Sequence, residues 1–296
     1  MRTSLCWLLA LAACGGHAQT APLPAALTLP ESTAVLDAAT GVPVSTAELL
    51  RRVRAADYVL LGELHDNPYH HRARAALLTA AGTHPAVVFE QFPETTAPIP
   101  PPEAGQDQEA WLDVHGFDRK GWKWPLHQPL IEAALASGRA IWGSGISRDA
   151  VRVVFRQGMD AAPEGLRRLI IDAPLDEAGL SAMERELIEG HCGKLPPEML
   201  PGMRAAQSVR DASMAQALLA GGTTGPAWLI AGNGHVRIDM GVPRMLHREA
   251  PTRTVLVMGS VERGTDEAVP GPATGRRYDL ILVTPPADRP DPCAGM

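Results

Sequence analysis

The sequence predicts an α/β fold: a mostly parallel open sheet flanked by helices, with a small helical subdomain inserted between two strands. Three observations predict it. Short apolar runs at 58–61, 86–89, 140–142, 227–231, 254–258 and 280–283 show almost no polar alternation. Strands covered on both faces read this way, because neither face meets water. Helical segments separate most of these runs, the order that builds parallel sheets through crossover connections. Residues 148–222 contain no run with strand character. The α/β part therefore falls at 32–147 and 223–284, with the helical insertion at 148–222 between them.

In chain order, residues 1–13 carry one charge, Arg2, and an apolar run at 5–13. That run is far short of the roughly 20 residues that span a bilayer, and it reads as a secretory signal. It ends Leu11-Ala12-Ala13-Cys14, which matches the bacterial lipobox at every position. The match implies cleavage before Cys14, diacylation of its thiol and acylation of the new amino terminus. Each buried methylene contributes about 0.8 kcal/mol, so two or more acyl chains anchor stably. An ordinary signal peptide cut near Ala18 is the alternative. Gly15, rather than an aspartate, follows the cysteine, which implies an outer-membrane destination. The segment 14–31, rich in Ala, Pro and Thr, reads as a tether.

A helix at 45–55 opens with Ser45 and Glu48 in capping-box spacing. Further amphipathic helices are expected at 70–81 and 127–137, with a Pro-rich surface loop at 98–108. The insertion reads as helices at 151–157, 164–171, 181–189 and 203–219, the third opened by a second capping box, Ser181 and Glu184. The Pro-rich tail, 285–296, reads as irregular. Without the signal segment and Cys14, two cysteines remain, Cys192 and Cys293. In an oxidising compartment they pair or stay as two thiols. No other apolar run is long enough to span a membrane. A net charge of −6 with no basic block argues against nucleic acid as a partner.

Four strands are followed at once by polar clusters. These are Gly62-Glu63-Leu64-His65-Asp66-Asn67, Glu90-Gln91-Phe92-Pro93-Glu94, Gly143-Ser144-Gly145-Ile146-Ser147-Arg148 and Gly232-Asn233-Gly234-His235. Open α/β sheets bind ligands outside the carboxyl ends of their strands. Parallel strands would thus bring Glu63, His65, Glu90 and His235 to one rim. Residues two apart in extended chain point the same way, which turns Glu63 and His65 toward one site. Two carboxylates and two imidazoles can hold a divalent metal and activate water. They can equally form a hydrogen-bonded network that orders loops.

Asn67-Pro68-Tyr69-His70-His71 opens a helix, with Pro68 near its first position. Imidazole and phenolate both ligate haem iron; solvated histidines at a helix start are the plainer alternative. Trp122-Lys123-Trp124-Pro125-Leu126-His127 sets two of the six tryptophans beside an imidazole. That suits a flat aromatic ligand or the packing of a loop. Gly143-x-Gly145 lacks the third glycine of a dinucleotide loop. Neither a Walker A motif nor a Gly-x-Ser-x-Gly elbow occurs. Arg210 can fork onto a carboxylate or pair with a neighbour on its helix.

Taken together, GELHDNPYHH (62–71), FEQF (89–92), the Trp-rich segment through Pro129, QSVRDASMA (207–215) and AGNGHVRIDMGVPRML (231–246) resemble the ChaN family of haem-binding lipoproteins, over roughly 33–260. The resemblance implies an α/β domain with a small helical domain, non-covalent haem at or near a homodimer interface, and a part in iron acquisition. It also implies an outer-membrane haem receptor as partner, with the anchored protein facing the periplasm. The haem ligands are then expected among Tyr69, His70, His71 and His127, with Arg210 on a propionate. His127 stands where related sequences often carry tyrosine, so imidazole would replace tyrosinate. The wider superfamily includes the Tiki metalloproteases and erythromycin esterases, which share a Gly-x-x-His motif. Gly62-Glu63-Leu64-His65 and Gly232-Asn233-Gly234-His235 are similar, which carries a metal or catalytic role onto Glu63, His65, Glu90 and His235. Two functions of different class follow: a haem-binding lipoprotein, or a metal-dependent hydrolase.

Overall fold

Strands β1 (Ala34–Asp37), β2 (Tyr58–Leu61), β3 (Ala86–Pro93), β4 (Ile141–Gly145), β5 (Ala227–Ile230), β6 (Val255–Glu262) and β7 (Leu280–Thr284) form one sheet in a computed structural model of the chain. It describes residues 26–294 apart from 83, 137, 266–276 and 292. Cys14, the signal segment and most of the tether lie outside the described residues. All six expected runs became strands. The sheet order is β1-β7-β6-β2-β5-β3-β4, with β1 antiparallel to β7 and every other pairing parallel. β1 escaped the sequence reading because its four residues are mostly half-buried and its only sheet partner is β7.

The order places the switch in chain direction at the centre of the sheet. From β2 the chain builds β3 and β4 to one side, returns to insert β5, and then crosses to β6 and β7. Leu61, Ile230 and Phe89 share one level across β2, β5 and β3. The next residues, Gly62 and Ala231, therefore leave the sheet side by side at its carboxyl edge, with Glu90 beside them on β3 where its register against β4 shifts, and open α/β sheets hold their ligands at that edge.

Two cores explain the apolar runs. Alternate strand residues face opposite sides. Val59, Leu61, Val87, Phe89, Trp228 and Ile230 pack under α1 (Thr46–Ala55), α2 (Pro68–Ala80), α3 (Gln108–Val114) and α4 (Gln128–Ala136). Leu60, Val88 and Leu229 pack under α5 (Arg148–Gln157), α6 (Glu164–Asp172), α8 (Leu200–Gly221) and α10 (Pro243–Glu249). Between α6 and α8 lies α7 (Glu177–Glu189), and α9 (Asn233–Val236) follows β5. Full burial of each Val, Leu or Ile contributes about 1.5–3 kcal/mol, so both faces must be covered.

From Arg148 to Gly221 the chain is helical, and most of it is a layer of the fold itself. Val154, Leu166, Val209 and Leu218 share one core with the sheet. Only α7 packs apart, through Ala182 and Met183 against Met240. No helix among the described residues is long and apolar enough to cross a membrane.

One local expectation was displaced. Ser45 caps α1 as its spacing predicted, accepting from the Glu48 N–H at 3.2 Å. Ser181 does not cap α7. Asp176 does, accepting from the Gly179 N–H at 2.7 Å, and Ser181 lies inside the helix. Asp176→Ala is therefore expected to cost about 1 kcal/mol in urea denaturation, and Ser181→Ala only a few tenths. The reverse ranking would contradict this cap. The described part of the tail carries no helix or strand and is tied to the body. The Ala287 N–H and the Arg289 guanidinium donate to Glu262, and Cys293 is bonded to Cys192 in a disulfide.

Candidate functional site

Glu63, just past β2, is the buried hub of one half of the site. Its Oε1 accepts from His65 Nδ1 at 2.7 Å and from Gln91 Nε2 at 3.1 Å, and His127 Nε2 lies at 3.4 Å. Its other oxygen pairs with the Arg74 guanidinium, which α2 delivers fully buried. Burial pulls the Arg74 pKa down to about 9. Arg74 also donates to the Leu61 carbonyl and to His71 Nδ1, while His71 Nε2 donates to the His65 carbonyl at 3.0 Å. Helix α2 thus fixes the Glu63–His65 turn through charge and backbone together. Gly62 permits the close approach, since a Cβ there would strike Asn233 Oδ1.

A second carboxylate–imidazole pair faces the first. His235 Nδ1 lies 2.6 Å from Asp211 Oδ1 and 3.1 Å from Gln207 Nε2, both carried by α8. His235 Nε2 lies 3.6 Å from Glu90 Oε1, and His65 Nε2 lies 4.0 Å from Glu90 Oε2. Glu90 also accepts from the Gly232 N–H at 2.8 Å. One carboxylate thus stands between two imidazoles whose far nitrogens are each held by a buried carboxylate. Such outer partners fix tautomer and ring orientation around ligating histidines. Gly232 is required by space: its Cβ would come within 2.9 Å of His65 Nε2.

The electrostatics follow from these contacts. Burial raises the Glu90 pKa, but the charges of His235 and His65 and the Gly232 amide carry it below the usual carboxylate value. Burial disfavours the charged form of His235, yet Glu90 and Asp211 hold its pKa above the ordinary value. Burial pushes Asp211 up.

Two hollows open on this rim. The larger, about 650 Å³, has an apolar wall of Trp122, Met183, Leu187 and Met240, with Lys123 and Arg289 among its polar lining. The His65 side chain, 43% exposed, meets it edge-on to Trp122 at 5.0 Å. The smaller hollow, about 520 Å³, is lined by Phe92, Ile146, Val151, Met214 and Arg210, among others. Trp122, Gln207 and His235 border both.

Glu63, His65, Glu90 and His235 come together, as the strand ends require. None of the four expected haem ligands lines either hollow, although His127 Nε2 lies 3.4 Å and His71 Nδ1 3.1 Å from Glu63 at that rim. His70, His71 and His127 are buried and line neither hollow. Desolvation pulls His70 and His71 down to about 4 and His127 to about 2. His70 Nδ1 accepts from the Leu64 N–H at 3.0 Å. Tyr69 lines a separate hollow with Thr28 and Pro30, its ring 4.7 Å from the Arg72 guanidinium. Successive residues of an α-helix point about 100° apart, so a run of three candidates at the start of α2 cannot all face one ligand. The sequence reading missed Arg74 and Gln91. Arg74 follows His71 by three positions, one helix turn, a spacing that puts both on one face of α2 and distinguishes it from Arg72.

Glu63, His65 and His127 could each offer a ligand atom to a metal ion, all within 4.8 Å of one another. The Arg74 charge on Glu63 competes with a cation there. The pair of Nε2 atoms around Glu90 carries no such competitor within ion-pair distance among the described residues.

The family profile described as haem-binding uptake, Tiki superfamily, ChaN matches residues 49–246, about two thirds of the chain. A solved structure described as "Cofacial heme binding to ChaN of Campylobacter jejuni" is 18% identical, covers 86% of this chain and 98% of that one, and superposes with a TM-score of 0.67. It shows the same fold. The structure of the type III effector HopBA1 is 12% identical over 80% of this chain and 92% of that one, with a TM-score of 0.35, too distant to inform the site. No curated protein sequence matches the chain.

Proposed function

The chain belongs to the ChaN family of haem-binding uptake proteins in the Tiki superfamily, and from that membership we propose that it binds haem non-covalently in the larger hollow, with His65 as the iron ligand. One observation carries the residue choice. Of the sequence candidates, His65 is the exposed imidazole, and it stands against an apolar wall. The residues suit the group. Trp122, Met183, Leu187 and Met240 offer apolar surface to a flat macrocycle. Lys123, 3.8 Å from Asp66, is the more available cation for a propionate, since Arg289 is forked onto Glu262. Glu63 accepts from His65 Nδ1 at 2.7 Å, which leaves Nε2 as the donor atom and strengthens it. Haem, when bound, brings the redox-active iron; the protein brings the ligand, the wall and the counter-charges.

Haem titration followed at the Soret band tests this. Wild-type protein should show a saturable shift, and His65→Ala should bind roughly tenfold or more weakly. A His65→Ala titration like wild type, with a changed Tyr69→Phe spectrum, moves the ligand to Tyr69. No saturable shift in wild type overturns the haem reading.

The lipobox supports anchoring through Cys14 at the outer membrane, facing the periplasm. The family resemblance supports a homodimer and an outer-membrane haem receptor as partner. Cys14→Ser should abolish palmitate labelling and release the protein from the membrane fraction, because only a thiol accepts the diacylglyceryl group. Labelling that persists in the variant refutes the anchor.

The Glu90 geometry favours a second reading, a divalent-metal hydrolase. Both Nε2 atoms approach that carboxylate, and Glu63 and Asp211 back the two rings. Three such groups plus water make a catalytic metal site. Calorimetric zinc binding lost in both His65→Ala and His235→Ala, with ester or peptide hydrolysis, would establish it.

A further inference from the structure

The smaller hollow contains a cation that Glu90 and Asp211 favour through space but do not touch. Arg210 projects from α8 into it, half-buried, and makes no hydrogen bond and no ion pair within 4.0 Å among the described residues. The neighbouring anions are engaged elsewhere. Glu90 is taken up by the Gly232 amide at 2.8 Å and by His235 and His65 at 3.6 and 4.0 Å. Asp211, adjacent in sequence, turns to His235 at 2.6 Å. Asp118 at the mouth is held by Arg148 at 2.8 Å. Burial disfavours the Arg210 charge, and the longer-range attraction of Glu90 and Asp211 offsets only part of that cost, so a directly bonded anion would still be favoured. Phe92, Ile146, Val151 and Met214 form the apolar share of a lining that also includes Gln91, Ser144 and Ser147, and they can take an apolar body behind the anion.

We propose that this hollow binds the carboxylate of a small organic acid, forked onto Arg210 with the acid's apolar body against Ile146, Val151 and Met214. A planar fork of donors matches a carboxylate better than it matches any neutral group. The site is separate from the larger hollow, with Trp122, Gln207 and His235 forming the border. The assignment does not depend on His65 holding iron. The carboxylate has two possible sources: a free acid, or a propionate reaching across that border from the neighbouring hollow.

The test is calorimetric titration of the purified, haem-free protein with hexanoate, using hexanamide as the uncharged control. Wild type should bind hexanoate and not hexanamide. Arg210→Gln should weaken hexanoate by roughly tenfold or more, the worth of a charge-assisted hydrogen bond. Met214→Trp, which fills the hollow and keeps the cation, should also block it. Circular dichroism and thermal unfolding of each variant show whether it is folded. If Arg210→Gln fails to fold, Met214→Trp carries the test. Repeating the titration on haem-loaded protein separates the sources. Retained hexanoate binding identifies a free acid. Lost binding, with haem uptake weakened by Arg210→Gln, identifies a propionate. Equal binding of acid and amide, or hexanoate binding unchanged in folded Arg210→Gln, overturns the proposal.

Discussion

Glu63→Ala is expected to lower the free energy of unfolding by about 3–5 kcal/mol, the cost of leaving a buried charge without its partner. Arg74 is completely buried, and Glu63 is the one carboxylate paired with it among the described residues. Its remaining contacts are neutral: the carbonyls of His70 and Leu61 at 3.3 and 3.2 Å, and His71 Nδ1 at 3.0 Å. They solvate the guanidinium without neutralising it. The same substitution also strips acceptors from His65 and Gln91. Glu63→Gln should cost less, because it keeps one acceptor oxygen. The double variant Glu63→Ala with Arg74→Met should recover much of the loss, since removing both charges removes the unpaired one. Urea denaturation of wild type, Glu63→Ala, Arg74→Met and the double variant closes the cycle. A loss below about 1 kcal/mol for Glu63→Ala would mean that water reaches Arg74, and the buried hub would be wrong.

The second large effect is acid instability. An unfolded histidine takes its proton near pH 6.5. Folded His70 and His71 hold out to about 4 and His127 to about 2, all through burial. Within that window the unfolded chain binds more protons than the folded one, so stability falls as pH falls. Each such histidine contributes a slope of about 1.4 kcal/mol per pH unit, and three together about 4. His235 opposes them. Its folded pKa is raised, so its contribution is present below 6.5 and lost as pH rises through the folded value. Glu90, with a lowered folded pKa, loses its contribution only as pH falls below the usual carboxylate range. Domains hold about 5–15 kcal/mol in total, so the haem-free protein should lose a large part of its stability before pH 4. Urea midpoints at pH 7, 6 and 5 should fall steadily, and His70→Gln should flatten the slope by about one proton. A level profile contradicts the three neutral imidazoles.

The strands were legible because burial on two faces leaves continuous apolar runs, and the rim was legible because parallel strands all end at one edge. Glu63, His65, Glu90 and His235 needed nothing more than strand ends and direction. What the sequence hid was rotation and depth. Tyr69, His70 and His71 are consecutive letters but point three ways from α2, and two of them are buried. Arg74 and Gln91 matter through a buried carboxylate that lies 11 and 28 positions away along the chain, contacts that local pattern does not encode. Ser181 headed the expected cap, yet Asp176, five positions earlier, caps the helix, a start that the Ser181–Glu184 spacing does not encode. The two hollows depend on the depth of side chains from eight separate segments, from 63–66 to 289.

The tie between Cys192 and Cys293 has a practical side. His191, next to the first cysteine, and Arg289, near the second, both line the larger hollow. The tail is thus stapled beside the mouth of that hollow, and anything fused after Met296 begins three residues beyond the staple. A polyhistidine purification tag placed there would hold a cluster of competing imidazoles next to His65. Haem spectra from such a protein would report the tag as well as the native ligand, so purification handles on this chain belong elsewhere or need to be cleaved before any titration.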